Sequence, residues 1–77
     1  MISTEKIQQL IQQGMDTDSV DVSGGDGKYV AEVVSRAFAG LTTIKRHRMV
    51  YSCVNNVIAS GELHALTIVA KTPEEAS

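Results

Sequence analysis

Gly40-Leu41-Thr42-Thr43-Ile44-Lys45-Arg46-His47-Arg48-Met49-Val50-Tyr51 is the stretch that decides how this chain of 77 residues folds. Thr42 or Thr43 can accept hydrogen bonds from the free backbone N–H groups that open a helix. Beyond them Ile44, Val50, Tyr51, Val54, Val57 and Ile58 recur at helical spacing. At about 100° per residue these fall on one face, with Lys45 and Arg48 on the other and Arg46 near the edge. Ser60-Gly61 ends the run, because Gly61 can take the left-handed conformation that closes a helix. The stretch predicts one long amphipathic helix over 42–58 carrying a basic cluster.

Working outward toward the N-terminus, Arg36 to Gly40 reads as a short turn whose Phe38, the only Phe, plugs the core. Tyr29 to Ser35 is rich in β-branched and apolar residues and reads as a strand. Gly24-Gly25-Asp26-Gly27 before it has the composition of a hairpin turn. Asp18 to Ser23 alternates, with Val20 and Val22 facing one way, as a half-buried strand does. Ser3 can cap a first helix in which Ile7, Leu10 and Ile11 form an apolar stripe and which Gly14 ends. Toward the C-terminus, Leu63 to Ala70 reads as a third strand with Leu66, Ile68 and Ala70 on one face. Thr72-Pro73-Glu74-Glu75 is a helix start (cap, Pro in the first turn, two acids) cut short at Ser77. The order α-β-β-α-(α)-β gives an α+β domain over 1–77: a three-stranded sheet with helices packed on one face and the long helix as crossover.

An apolar fraction of 43% with clear periodicity excludes disorder, and no run of apolar residues is long enough to span a membrane. One Cys cannot form an internal disulfide, which fits the cytoplasm. The net charge of −2 hides an asymmetry. Glu5, Asp16, Asp18, Asp21, Asp26 and Glu32 fill the first half, whereas Val33 to Gly61 holds no acid but carries Arg36, Lys45, Arg46 and Arg48. Such a cluster is either a solvated face or a weak anion-binding one.

An enzyme is not indicated, since there is no Ser-His-Asp set, no well-spaced carboxylate pair and no phosphate-binding loop. Gly24-x-x-Gly27 matches the GxxG of nucleic-acid-binding KH domains, but it joins two strands here rather than two helices, and the turn reading prevails. His47, on the apolar side of the helix, reads as a partly buried histidine bonded to a backbone carbonyl. Cys53, without Cys or His at metal-site spacing, reads as a packing residue. His64 stands at the mouth of the third strand after a glycine turn, where a neutral imidazole can project into solvent. A single His cannot hold a metal alone, so it is either structural or part of a site that a partner completes.

Phe38-x-Gly40-Leu41, Arg46-His47-Arg48-x-Val50-Tyr51, Gly61-x-x-His64-Ala65-Leu66 and Thr72-Pro73-Glu74 follow one another in the order and spacing of the BolA family, which the chain resembles over nearly its whole length. The resemblance implies an α-β-β-α-α-β fold similar to class II KH domains and partnership with monothiol glutaredoxins. In such pairs a [2Fe-2S] cluster is shared. The glutaredoxin brings its active-site Cys and a glutathione thiolate, and the BolA protein brings the His of His-Ala-Leu, here His64. No cofactor is then expected in the isolated protein, a monomer or weak homodimer. The second BolA ligand is usually a Cys or His in the loop between the first two strands. Residues 24–28 contain neither, so this chain departs from the pattern. It supplies one ligand, or Asp26 completes the set, or the cluster is held weakly. The family is also described as DNA-binding regulators of stress and cell-shape genes, which would assign Lys45, Arg46 and Arg48 to phosphate contacts.

Overall fold

The computed structural model describes residues 2–77. Helix α1 spans Thr4–Gly14, with Ser3 as the cap that accepts from the Lys6 N–H. Strands β1 (Ser19–Gly25) and β2 (Lys28–Val34) are joined by a two-residue turn. Both turn residues, Asp26 at φ 54° and Gly27 at φ 80°, occupy the left-handed region that a tight hairpin requires. A single 3₁₀ turn, Arg36–Phe38, leads to α2, Thr43–Ala59, whose cap is Thr42. Strand β3 covers Ala65–Lys71, and α3 is one turn, Pro73–Ala76. The third strand begins two residues later than the sequence predicts, because Leu63 and His64 complete the turn after α2 rather than the ladder.

The sheet has the order β1-β2-β3, with β1 antiparallel and β3 parallel to β2. Parallel neighbours need a crossover, and the 3₁₀ turn with α2 supplies it. The central strand turns Tyr29, Ala31 and Val33 inward, and β3 turns Leu66 and Ile68 the same way. Ile7 and Ile11 of α1 and Val50 and Val54 of α2 cover that face, with Phe38 and Leu63 closing the two ends. Lys28, Val30 and Glu32 of the opposite face are exposed. Helices therefore pack on one side only, as the apolar alternation requires.

The apolar face of α2 is narrower than its sequence suggests. Val50 and Val54 are buried and Val57 is half-buried, but Ile44, Tyr51 and Ile58 remain exposed. The last three lie about 40–120° round the helix from the buried centre, toward the free edge of β3.

Two side chains of α2 cover carbonyls on that edge. Tyr51 Oη donates to Leu66 O at 2.9 Å, and Arg46 Nη1 donates to Ala70 O at 3.2 Å. Arg46 also clamps α3 through Glu75, whose Oε1 accepts from Nη1 at 2.6 Å and from the Thr72 N–H at 2.8 Å. Thr72 Oγ1 returns the bond by accepting from the Glu75 N–H, completing a capping box. The guanidinium first, and the Thr72 N–H second, push the Glu75 carboxyl from its ordinary 4.5 down to about 2. A carboxylate lowered in the folded state adds stability that is full above its unfolded value and disappears as pH falls through the folded one. Glu75→Gln is therefore expected to lower Tm by a few degrees at neutral pH. That difference from wild type should shrink below pH 4.5 and vanish near pH 2, as read from thermal melts across the range.

Candidate functional site

His64 is placed by its main chain. After Gly61 (φ 83°) ends α2, Leu63 donates its N–H to Val57 O and is buried. The N–H groups of His64 and Ala65 then both donate to Gly27 O, each at 2.9 Å. This shared acceptor ties the start of β3 to the β1–β2 turn. The imidazole rests on Gly27 itself, where a Cβ would stand 2.8 Å from Nδ1 and 3.0 Å from Cγ. The proximal edge of the ring is thus occupied, and the residue is exposed. Nε2 stays on the distal side in either ring orientation, available as a donor to an external ligand. The side chain makes no hydrogen bond among the described residues.

The turn under the imidazole belongs to residues 24–28, so the structure brings His64 beside the β1–β2 loop that carries Asp26. Gly25 has open space around its Cβ position, and Asp26 is exposed. No group of three His, Cys, Asp or Glu side chains among the described residues could hold a metal ion. The described residues therefore form no complete metal site, and His64 offers a single imidazole at this end of the sheet.

Cys53 lies elsewhere, half-buried on the side of α2 that packs on α1, where a Cβ on Gly14 would come within 2.7 Å of its Sγ. Burial pushes its thiol pKa up, and the S–H donates to Met49 O at 3.4 Å. This is a packing residue, as its isolation in the sequence indicates. His47 is half-buried and forms no side-chain hydrogen bond among the described residues, so the expected carbonyl partner is absent there.

The basic cluster divides. Lys45 and Arg48 are exposed. Arg46, expected as a phosphate contact, is held in a structural clamp. Its side chain is only 13% exposed, and Nε donates to Leu41 O at 3.0 Å while Nη1 serves Ala70 O and Glu75. Its guanidinium also lies 5.9 Å from the centre of the Phe38 ring. A phosphate would have to displace these acceptors. Sequence reasoning missed this clamp and the seating of His64 on Gly27. The available signals were the second acid of Thr72-Pro73-Glu74-Glu75, which has an Arg to meet, and the Asp-Gly pair that sets the turn.

A family model described as BolA-like protein matches residues 6–75. The chain belongs to the BolA family. It is 36% identical over 74 residues to an uncharacterized protein of the rpoN-murA intergenic region of Acinetobacter guillouiae, covering 96% of this chain and 89% of that one. It is also 47% identical over 55 residues to SufE-like protein 1 of Arabidopsis thaliana, matching 69% of this chain but only 15% of that relative's length. Among solved structures, BolA1 from Arabidopsis thaliana superposes with a TM-score of 0.84 at 26% identity, covering 100% of both chains. The BolA domain of SufE1 from Arabidopsis thaliana gives 0.83 at 31% identity, covering 97% of this chain and 99% of that one. The α+β fold with a three-stranded mixed sheet is thus the BolA fold.

The seat of His64 can be tested by contrast. Gly27→Ala adds a Cβ at a positive φ and against the imidazole, and is expected to cost about 1–3 kcal/mol while shifting the His64 ring resonances in NMR spectra. Gly25→Ala, with nothing within 4 Å, should leave both unchanged.

Proposed function

We propose that this protein is a non-enzymatic adaptor that shares a [2Fe-2S] cluster with a monothiol glutaredoxin, with His64 as its ligand. One observation carries the reading: an exposed imidazole, fixed by its own backbone and by a glycine, with no chelating group among the described residues. A single-ligand protein needs a partner that brings the remaining donors, and a glutaredoxin with bound glutathione brings thiolates. When bound, the cluster supplies iron–sulfur redox and transfer chemistry, and imidazole in place of thiolate raises its potential.

The chain's own contribution is positional. The two N–H bonds to Gly27 O hold residue 64 at the end of the sheet, and Gly27 limits the ring's freedom. Nε2 would thus be offered to a cluster with little ordering entropy left to lose. The proposed compartment is the cytoplasm, where Cys53 stays reduced. Among the described residues no helix is long and apolar enough to cross a membrane.

A second reading, a DNA-binding regulator, has the exposed Lys45 and Arg48 in its favour. Two phosphate contacts give only weak, salt-dependent affinity. With Arg46 committed to the clamp, this reading ranks below the first.

Anaerobic reconstitution with a monothiol glutaredoxin and glutathione, followed by visible absorption and CD, separates the two. The expected result is a heterodimer spectrum distinct from that of the glutaredoxin alone. It should be lost in His64→Ala and kept in the double variant Lys45→Ala/Arg48→Ala. Formation of the same spectrum by His64→Ala would remove His64 from the site. No heterodimer with wild type would remove the adaptor reading, and DNA binding abolished only by K45A/R48A would replace it.

A further inference from the structure

The two edges of the sheet differ. On β3 the carbonyls of Leu66 and Ala70 are taken by Tyr51 and Arg46, so that edge is guarded against an added strand. On β1 only β2 bonds to the main chain of Ser19–Gly25 among the described residues. Gly25 and Lys28 close the two-residue hairpin as a bonded pair, so Ser19, Asp21 and Ser23 also turn their N–H and C=O groups to β2. Val20 and Val22 turn theirs outward. Four main-chain groups on alternate residues, about 7 Å apart, are thus open to a further strand.

The side chains along this edge define what that strand carries. Val20 is buried and Val22 half-buried on the core side, where α1 packs on β1. On the other side Asp21 stands directly opposite Glu32. Both are exposed, and neither belongs to an ion pair among the described residues. Like charges directly opposite in a ladder destabilise it. A strand added beside β1 brings a side chain next to Asp21 in the same row. A cation there relieves the repulsion, whereas an anion adds to it. A second copy of β1 paired in register across Asp21 is therefore rejected.

We propose that the free edge of β1 is a docking site for an extended segment of another protein with the pattern apolar-basic-apolar, added antiparallel. The basic residue lies opposite Asp21, and the apolar residues lie opposite Val20 and Val22. Those apolar residues make the four main-chain hydrogen bonds, and their side chains extend the apolar face of the sheet. In strand addition of this kind main-chain bonds give affinity and alternate side chains give specificity. The site does not include His64, and it stands whether or not a cluster is shared.

NMR titration of the isotope-labelled full chain with the acetylated, amidated peptide Ser-Val-Lys-Val-Ser tests the proposal. Saturable shifts and slower hydrogen exchange are expected at the Val20 and Val22 amides, with Kd on the order of 10⁻⁴ M. Glu in place of the peptide Lys should weaken binding about fivefold. Asp21→Lys, at an exposed position, should abolish that preference with far-UV CD unchanged. N-methylation of both peptide valines should abolish binding. N-methylation of the peptide lysine, whose N–H points away from β1, should not. The absence of saturable shifts at Val20 and Val22 overturns the proposal. So does binding that survives valine methylation, which is charge adsorption without a strand, or an equal response of wild type to the Lys and Glu peptides. A Lys preference that persists in Asp21→Lys removes Asp21 from the site. Loss of binding on lysine methylation alone overturns the antiparallel pairing. Shifts centred on β3 place the addition on the other edge and overturn the proposal. Shifts at Val20 and Val22 that grow with protein concentration before peptide is added give the edge to a second copy, and overturn it too.

Discussion

The parallel pairing of β3 with β2 is fixed at both ends by bonds from outside the strands themselves. At one end Gly27 O accepts the N–H groups of His64 and Ala65; at the other the Ser35 N–H donates to Lys71 O. A parallel pair has no tight turn to set its register, and a slip of one residue would turn Leu66 and Ile68 out of the core. The two end bonds supply what a hairpin would otherwise provide. Ser35 is buried because it serves several segments: its hydroxyl donates to Asp16 O at 2.6 Å and accepts from the Ala37 N–H at 3.0 Å. The connection into β1, the end of β2, the 3₁₀ turn and the end of β3 therefore meet at one small residue, through its hydroxyl and its main-chain N–H.

The same economy appears in the basic segment of α2. Lys45, Arg46 and Arg48 lie within four residues, yet the helix turns about 100° at each step and gives them different surroundings. Lys45 and Arg48 point to solvent, whereas Arg46 is swept over the end of the core. A nearly buried guanidinium is costly unless its donors find acceptors. Arg46 finds Leu41 O, Ala70 O and Glu75, which tie together the start of α2, the edge of β3 and the C-terminal turn. Arg36 makes the contrasting choice. Its side chain is 83% exposed, and it gains only the surface pair with Asp18, whose carboxyl it holds below the usual range. Surface pairs of that kind contribute little.

Features governed by local chemistry were legible in the residues. The caps at Ser3, Thr42 and Thr72, the Asp-Gly turn, Pro73 at the start of α3 and the glycine after α2 act within a few positions of the chain, and each signal has one physical meaning. Features governed by tertiary contact were not. The width of α2's buried face depends on how far round the helix the sheet reaches, which leaves Ile44, Tyr51 and Ile58 outside. The fate of Arg46 depends on where Glu75, 29 residues later, is delivered. The late start of β3 depends on Leu63 being drawn into the core, while its neighbour's N–H is claimed by Gly27. The position of His64 at a strand mouth could be read from sequence, but the close fit of its ring to Gly27 could not.

That fit bears on what residue 64 is for. The structural task at this position, fastening β3 to the β1–β2 turn, is performed by a backbone N–H that every residue except proline possesses. The imidazole contributes no hydrogen bond among the described residues. A side chain chosen only to stabilise a turn would be expected to bond to it, as Ser35 and Thr72 do with their own surroundings. At residue 64 the main chain holds the fold together and the side chain is left to face outward, its distal nitrogen unclaimed. A fixed backbone and a glycine floor thus hold an imidazole that the fold itself does not use for hydrogen bonding among the described residues. Because the bonds to Gly27 O come from the main chain, replacing the side chain leaves in place the contacts that fasten β3 to the turn.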